Sequence, residues 1–177
     1  MANILFKKSY QHNSFTPVFY DDLWGTKGVF TTIRVVGSPP KFILLDEHVM
    51  TLNISLKKFG INFILTHQQI NELIHTSIFD NTIYDHLLRI AINSTIISMS
   101  LRSRVQPNKF FTATIVNYQR THPLLKNLYY KKIISLLEHN NTSNNEIILT
   151  KNDIVLEGCT TNILCVRMKK NYQKKYS

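Results

Sequence analysis

Apolar and polar positions change rhythm several times along the chain, and each change marks an element. Residues 29–36, Val-Phe-Thr-Thr-Ile-Arg-Val-Val, are β-branched and aromatic and read as a strand. Gly37-Ser38-Pro39-Pro40 forces a turn, and Lys41-Phe42-Ile43-Leu44-Leu45 reads as the returning strand of a hairpin. Val49, Leu52, Leu56 and Phe59 then recur at helical spacing, with Asp46 as N-cap and Gly60 at the exit, so the spacing predicts a helix from about 47 to 59. Thr66 and Gln69 make the Thr-x-x-Gln of a capping box, followed by the buried stripe Ile70, Leu73, Ile74 and Ile78 of a second helix ending near Phe79-Asp80-Asn81. Strands are predicted at 87–92, 95–101 and 110–116. The segment up to Asp22 shows no such period and reads as irregular and polar.

The second half has its own pattern. Pro123 suits the first turn of a helix whose buried face is Leu125, Leu128, Ile133, Leu136 and Leu137, dissolving at Asn140-Asn141. Residues 146–150 and 154–158 pair as a hairpin across Lys151-Asn152-Asp153, and 162–166 read as a further strand. The expected fold class is α+β. A small N-terminal α/β domain occupies 1–101, a polar linker carrying Pro107 spans 102–109, a β-rich unit fills 110–166, and a lysine-rich tail at 167–177 is expected to be disordered.

Composition narrows the classes. Of 177 residues 44% are hydrophobic and ten Phe and eight Tyr are present, which suits a globular chain with a real core. The formal charge of +10 raises the question of a nucleic-acid partner. The lysines, however, are scattered pairs plus the tail, with no RNP signature, zinc-finger spacing or long basic helix, so no nucleic acid is expected. Cys159 and Cys165 form neither a disulfide framework nor a metal motif; they read as small core residues in a reducing compartment, with no metal. The N-terminal apolar run is too short for a signal segment and no run approaches a membrane span, so the expectation is a cytoplasmic protein.

The candidate chemistry lies between Leu124 and Val166. Lys126 stands at the head of the predicted helix and Glu157 in Leu156-Glu157-Gly158, before a Thr-Thr-Asn turn. If the hairpin folds back under the helix, an amine and a carboxylate face one pocket. Pyridoxal 5'-phosphate needs that pair, a lysine for its aldehyde and a charged partner for its ring nitrogen.

Gly28-Val29-Phe30-Thr31-Thr32-Ile33-Arg34-Val35, the run 42–61, Leu88-Arg89-Ile90-Ala91-Ile92, His122-Pro123-Leu124-Leu125-Lys126-Asn127-Leu128 and the run 146–166 occur in the order and register of class IV aminotransferases. Over about residues 18–166 the chain resembles that family of fold-type IV pyridoxal-phosphate enzymes, which includes branched-chain and D-amino acid aminotransferases and aminodeoxychorismate lyase. Phe30-Thr31-Thr32-x-Arg34 and the short segment after Lys126 look most like the lyase, which releases pyruvate and 4-aminobenzoate. The resemblance implies that Lys126 is the Schiff-base lysine and proton shuttle, Glu157 the partner of the pyridine nitrogen, and Thr160, Thr161 and Asn162 the cofactor-side turn. It further implies that Phe30 lines the substrate side, that Tyr129 or Tyr130 reaches the cofactor's phenolic oxygen, that the substrate is an amino acid or 4-amino-4-deoxychorismate, and that the protein is a homodimer.

The departures from the family pattern are specific. Where the family has a phosphate-binding arginine this chain has Thr51, which cannot supply a bidentate charged clamp; His48 matches a helix-start histidine read as structural. The Gly- and Arg-rich loop many relatives carry near the substrate carboxylate is missing between Ile92 and Thr95. The family's large domain continues beyond the strand matching 163–166, so the second domain is expected to be incomplete and the chain a truncated member. Two functions follow: a pyridoxal-phosphate-dependent aminotransferase or lyase, impaired by truncation, or a non-catalytic remnant acting as an interaction protein.

Overall fold

The computed structural model describes residues 3–78 and 83–164. Its first unit is a six-stranded sheet in the order β2-β1-β6-β5-β3-β4, from β1 (Ile4–Gln11), β2 (Pro17–Val18), β3 (Gly28–Gly37), β4 (Lys41–Phe42), β5 (Tyr84–Asn93) and β6 (Ile96–Ser103). Helices α1 (Leu45–Lys58) and α2 (His67–His75) cover one face. The period-2 pattern explains this: Ile33, Val35, Leu88, Ile90, Ile97 and Met99 point one way into a core with Leu52, Leu56 and Ile70. Alternate positions Phe30, Thr32, Leu87, Arg89, Ser100 and Arg102 point the other way and line a cleft.

Several expectations need correction. The N-terminal segment is not irregular: residues 4–11 form β1, paired antiparallel with β6, and the Lys7-Lys8 pair hid that strand because each lysine falls on a different face. The return of the first hairpin is only Lys41–Phe42, since Leu44 enters the left-handed region (φ 55) and becomes the N-cap of α1 in place of Asp46. Asp46 instead joins Glu47 in the first turn, where a carboxylate meets the positive end of the helix dipole. The Thr66–Gln69 capping box is present with both reciprocal bonds; α2 ends at His75, and the predicted end at residues 79–81 lies outside the described residues.

The second unit is a three-stranded sheet in the order β7-β8-β9, built from β7 (Thr112–Asn117), β8 (Asn145–Lys151) and β9 (Ile154–Gly158). β7 and β8 are parallel, with α3 (Lys131–Glu138) as the crossover. The predicted β8–β9 hairpin is present, closing through Asn152 (φ 50) and Asp153 (φ 61), the positive-φ pair of a two-residue turn. The helix predicted from Pro123 begins only at Lys131. Residues 162–164 are not strand, while Cys165, Val166 and the lysine-rich tail lie outside the described residues.

Residues 121–130 fail to form a helix because tertiary bonds compete with it. Phe30 N–H donates to the Lys126 carbonyl (2.8 Å), Leu128 N–H to Gly28 O (2.9 Å) and Gly25 N–H to Leu128 O (2.7 Å), so the segment docks on the free edge of β3. Gly28 permits the approach, since a Cβ there would stand 2.4 Å from Ile92 O and 2.6 Å from Leu128 Cδ1. Asn127, fully buried, locks the loop: its Nδ2 donates to the carbonyls of Thr121 (2.7 Å), His122 (3.1 Å) and Leu125 (3.2 Å), and its Oδ1 accepts from Tyr129 N–H (3.1 Å). Among the described residues no helix is long and apolar enough to cross a membrane.

Candidate active site

Lys126 and Glu157 line one cleft of about 820 Å³ between the two units. They reach it by different routes, Lys126 from the loop docked on β3 and Glu157 from the last turns of β9. Arg120, just past the end of β7, joins them. Its Nε and Nη2 donate to Glu157 Oε1 (2.6 Å) and Oε2 (2.8 Å), and its Nη2 and Nη1 also donate to the carbonyls of Pro123 (3.1 Å) and Leu125 (3.2 Å). The guanidinium is nearly buried, at 7% side-chain exposure, while the Glu157 carboxylate keeps 29% open toward the cleft. A bidentate pair uses one lone pair on each carboxylate oxygen and leaves others free for a further donor.

The electrostatics follow from this packing. Burial, and then the Arg120 guanidinium, hold the Lys126 ammonium below the usual lysine range, because both disfavour a second positive charge. Burial, the largest single cause, disfavours charge on Arg120 as well, but its hydrogen bonds to Glu157 together with the nearby Tyr130, Glu157 and Cys159 groups raise its pKa. Tyr130, over whose ring Arg120 sits at 5.3 Å, has its pKa raised by burial. Burial lowers the pKa of His48, with the nearby Lys126 charge acting the same way; its Nδ1 is hydrogen-bonded to the Thr31 hydroxyl at 2.7 Å.

The remaining sequence-predicted residues divide. Phe30 lines the cleft in an aromatic group, edge-on to Trp24 (5.1 Å) and to Tyr130 (5.2 Å). Of the two tyrosines, Tyr130 faces the cleft and Tyr129 packs near Phe59 at 5.8 Å. Thr160, Thr161 and Asn162 all line the cleft. Thr160, though, gives its hydroxyl (2.6 Å) and its amide (3.2 Å) to the buried Glu146 carboxylate, which pins the turn from below. Gly158 makes this turn possible, since a Cβ there would meet Thr161 Oγ1 at 2.7 Å. Thr51 is exposed on α1 and its side chain is outside the cleft lining. Among the described residues no three His, Cys, Asp or Glu side chains gather to hold a metal ion.

Sequence reasoning overlooked Arg120, Glu146, Trp24, Arg89 and Arg102. Arg120 had a readable signal: an arginine directly after an apolar strand is placed to be buried, and a buried arginine requires an acid. The others depend on register between distant strands or on loop packing, which local pattern does not carry.

Comparison with known proteins accords with this geometry. Residues 28–172 match the family model for amino-transferase class IV. Solved structures share the fold. A branched-chain aminotransferase from the thermophilic archaeon Thermoproteus uzoniensis, with norvaline, is 15% identical at TM-score 0.60, covering 90% of this chain and 63% of that one. A putative 4-amino-4-deoxychorismate lyase from Legionella pneumophila is 20% identical at TM-score 0.58, covering 84% and 62%. A hypothetical aminotransferase from Mycobacterium tuberculosis in PLP-bound form is 16% identical at TM-score 0.57, covering 87% and 66%. The chain thus spans under two thirds of the length of these solved relatives. Comparison with curated proteins finds no match. With the family model covering most of its residues and a mixed helix-and-strand fold of fold-type IV enzymes, the chain belongs to the class IV amino-transferase family.

Proposed function

We infer that the cleft holds pyridoxal 5'-phosphate and acts on the amino group of a small amine or amino acid, as an aminotransferase or lyase. The observation that carries this reading is the meeting of the Lys126 amine and the Arg120-held Glu157 carboxylate on one cleft. The donor set fits the cofactor at two ends. Lys126, with its pKa lowered, is a nucleophilic amine for an aldehyde nearer to neutrality than an ordinary lysine. Glu157, held in place by Arg120, keeps lone pairs for a ring N–H.

When bound, the cofactor supplies an electron sink for the carbon bearing the amino group. The chain's own residues do the rest. Arg120 orients Glu157, and burial together with the Arg120 charge keeps the Lys126 amine ready to take up and return a proton. Phe30, Trp24 and Tyr130 form an apolar side that limits water at the reacting carbon. Thr161 and Asn162 offer polar groups at the turn beside Glu157.

A second reading, a member that does not catalyse, is favoured by one observation: Thr51 is exposed on α1, outside the cleft, where relatives carry an arginine for the phosphate. Incubation with the cofactor, borohydride reduction and peptide mass mapping separate the two. The expected result is a cofactor adduct on the Lys126 peptide, with none formed at that site in Lys126→Ala. Absence of the adduct in the unmodified chain, at cofactor concentrations that label no other lysine, overturns the catalytic reading.

A further inference from the structure

Lys126 sits between two peptide planes that are each fastened. The plane after it is held by the six-stranded sheet, because the Lys126 carbonyl accepts from Phe30 N–H at 2.8 Å. The plane before it ends in the Leu125 carbonyl, where three donors converge: Arg120 Nη1 (3.2 Å), Asn127 Nδ2 (3.2 Å) and the Asn127 backbone N–H (3.0 Å). Two of the three belong to one residue. A carbonyl oxygen offers two lone pairs, so three donors around it leave the plane little freedom to turn.

Asn127 reaches beyond that carbonyl. Its Nδ2 also donates to Thr121 O (2.7 Å) and His122 O (3.1 Å), and its Oδ1 accepts from Tyr129 N–H (3.1 Å), so one side chain grips the loop on both sides of Lys126. His122 shows what this grip holds in place. It has φ 50, a left-handed conformation that is costly for a residue other than glycine, and its carbonyl accepts from both Leu125 N–H (3.0 Å) and Asn127 Nδ2. The Asn127 side chain is fully enclosed, so water does not compete for these bonds. The Leu125 carbonyl also links the grip to the acid of the cleft. Arg120, which shares that oxygen, holds Glu157 with two further donors at 2.6 and 2.8 Å.

We propose that Asn127 is a positioning residue for the Lys126 amine: through the Leu125 carbonyl it shares with Arg120, it fixes where that amine enters the cleft relative to Glu157. This rests on the reading of Lys126 as the reactive amine of the cleft. A lysine amine rides on a flexible four-carbon stem, and a loose backbone beneath it would let it sweep a wide arc. Fixing the peptide planes on both sides of Lys126 narrows that arc to the part facing Glu157. A residue that only stabilised the loop would change the unfolding transition and leave the surroundings of the amine in the folded chain as they are.

The test compares the whole unmodified chain with Asn127→Ala and Asn127→Ser. Neither substitution alters a charge, so a change at Lys126 reports its position. The readout is the pH midpoint of Lys126 acetylation, measured by peptide mass spectrometry on samples that keep the native circular dichroism, with the exposed Lys132 as internal reference. Burial and the Arg120 charge lower the Lys126 pKa, and a released loop carries the amine away from both. Asn127→Ala is therefore expected to move the midpoint upward toward that of Lys132, cutting acetylation of Lys126 below the midpoint by about threefold or more. Asn127→Ser, whose hydroxyl can still donate to one loop carbonyl, is expected to fall between. A midpoint unmoved in both variants, with only the unfolding transition lowered, overturns the proposal. The unmodified chain supplies an arm that no folding defect touches, and that arm decides if neither variant keeps the native spectrum. The Asn127 side-chain amide protons are expected to exchange with solvent about tenfold or more slower than those of the exposed Asn152, and equal rates overturn the proposal. Cofactor attachment to Lys126 is measured on the same samples. Attachment with an unmoved midpoint defeats this proposal and leaves the proposed function standing; a moved midpoint with no attachment in the unmodified chain supports the positioning role and defeats the cofactor reading.

Discussion

The two sheets are finished to different degrees. In the six-stranded unit α1 and α2 seal one face over a continuous core in which Leu52, Leu56, Ile70, Leu88 and Met99 have 1% exposure or less. In the three-stranded unit α3 covers the face that carries Ile147 and Leu149, and the core there is Ile133 with those two. The opposite face is open: Ile115, the register partner of Ile148, is 70% exposed, and Val155, the partner of Thr150, is 49% exposed. The cleft between the units therefore has one wall set by dense packing and one set by a small core. The amine belongs to the denser side, because the Lys126 carbonyl and the Leu128 amide are bonded to β3, whereas Glu157 belongs to the sparser one. Arg120 spans the difference, holding the Lys126 loop through two carbonyls and Glu157 through two carboxylate bonds.

The largest expected effect tests that contrast directly. Leu56→Ala opens a cavity in a fully enclosed site and is expected to cost about 3–5 kcal/mol in urea unfolding, whereas Leu149→Ala, in the three-residue core with an open face nearby, is expected to cost about 2–3 kcal/mol. Equal losses would mean that the second unit is as tightly closed as the first, and the contrast would fail.

Removing the bridge comes next. Arg120→Met leaves Glu157, 29% exposed, without its partner and frees two loop carbonyls, a loss expected at about 1–3 kcal/mol. It also carries a pH signature. The Arg120 charge helps hold the Lys126 pKa down, so its removal raises that pKa; burial, the larger cause, stays and keeps the shift partial. The midpoint of Lys126 acetylation against pH, read by peptide mass spectrometry, is expected below that of surface lysines in the unmodified chain and to move upward in Arg120→Met. An unmoved midpoint would separate the two groups electrostatically.

What the sequence disclosed follows the same division. The sealed unit was legible because period-2 and period-3.6 patterns record which face is buried: β3, β5, β6 and both helices are near their predicted places, with Thr66 and Gln69 closing α2 as expected. β1 escaped because its lysine pair interrupts the pattern, with Lys8 on the core side reaching out to the Thr76 carbonyl. The predicted helix over 123–130 failed for a different reason. Leu125 and Leu128 have helical spacing, but the side-chain bonds of Asn127 and the free edge of β3 offer the same backbone groups better partners. Lys126 and Glu157 were legible as an amine and an acid near one turn region. The position of Arg120 after an apolar strand signalled burial, but its pairing with Glu157 depends on how the chain after β7 meets the end of β9, and no local pattern records that.

A helix cap sits lower on the scale. Thr66→Ala removes the hydroxyl that accepts the Gln69 amide and is expected to cost about 1 kcal/mol, read in the same urea transition as Leu56→Ala. A loss confined to a separate, earlier transition would place α2 outside the cooperative unit and weaken the description of that side as one core.

The smallest expected effect is the sharpest check on the open face. Ile115 is 70% exposed, so Ile115→Lys trades little buried area and is expected to change stability by no more than about 0.5 kcal/mol. A lysine there also places charge where exposed apolar area favours association, so sedimentation should show less self-association than in the unmodified chain. Measuring unfolding at several protein concentrations separates two outcomes. A small, concentration-independent change means that this face meets solvent in the free chain. A loss above about 1 kcal/mol that shrinks with dilution means that a second copy covers Ile115 in solution, because only an associated state draws its stability from concentration. In that event the sparser wall of the cleft is completed by its neighbour, and the contrast between the two units holds for the single chain and not for the assembly.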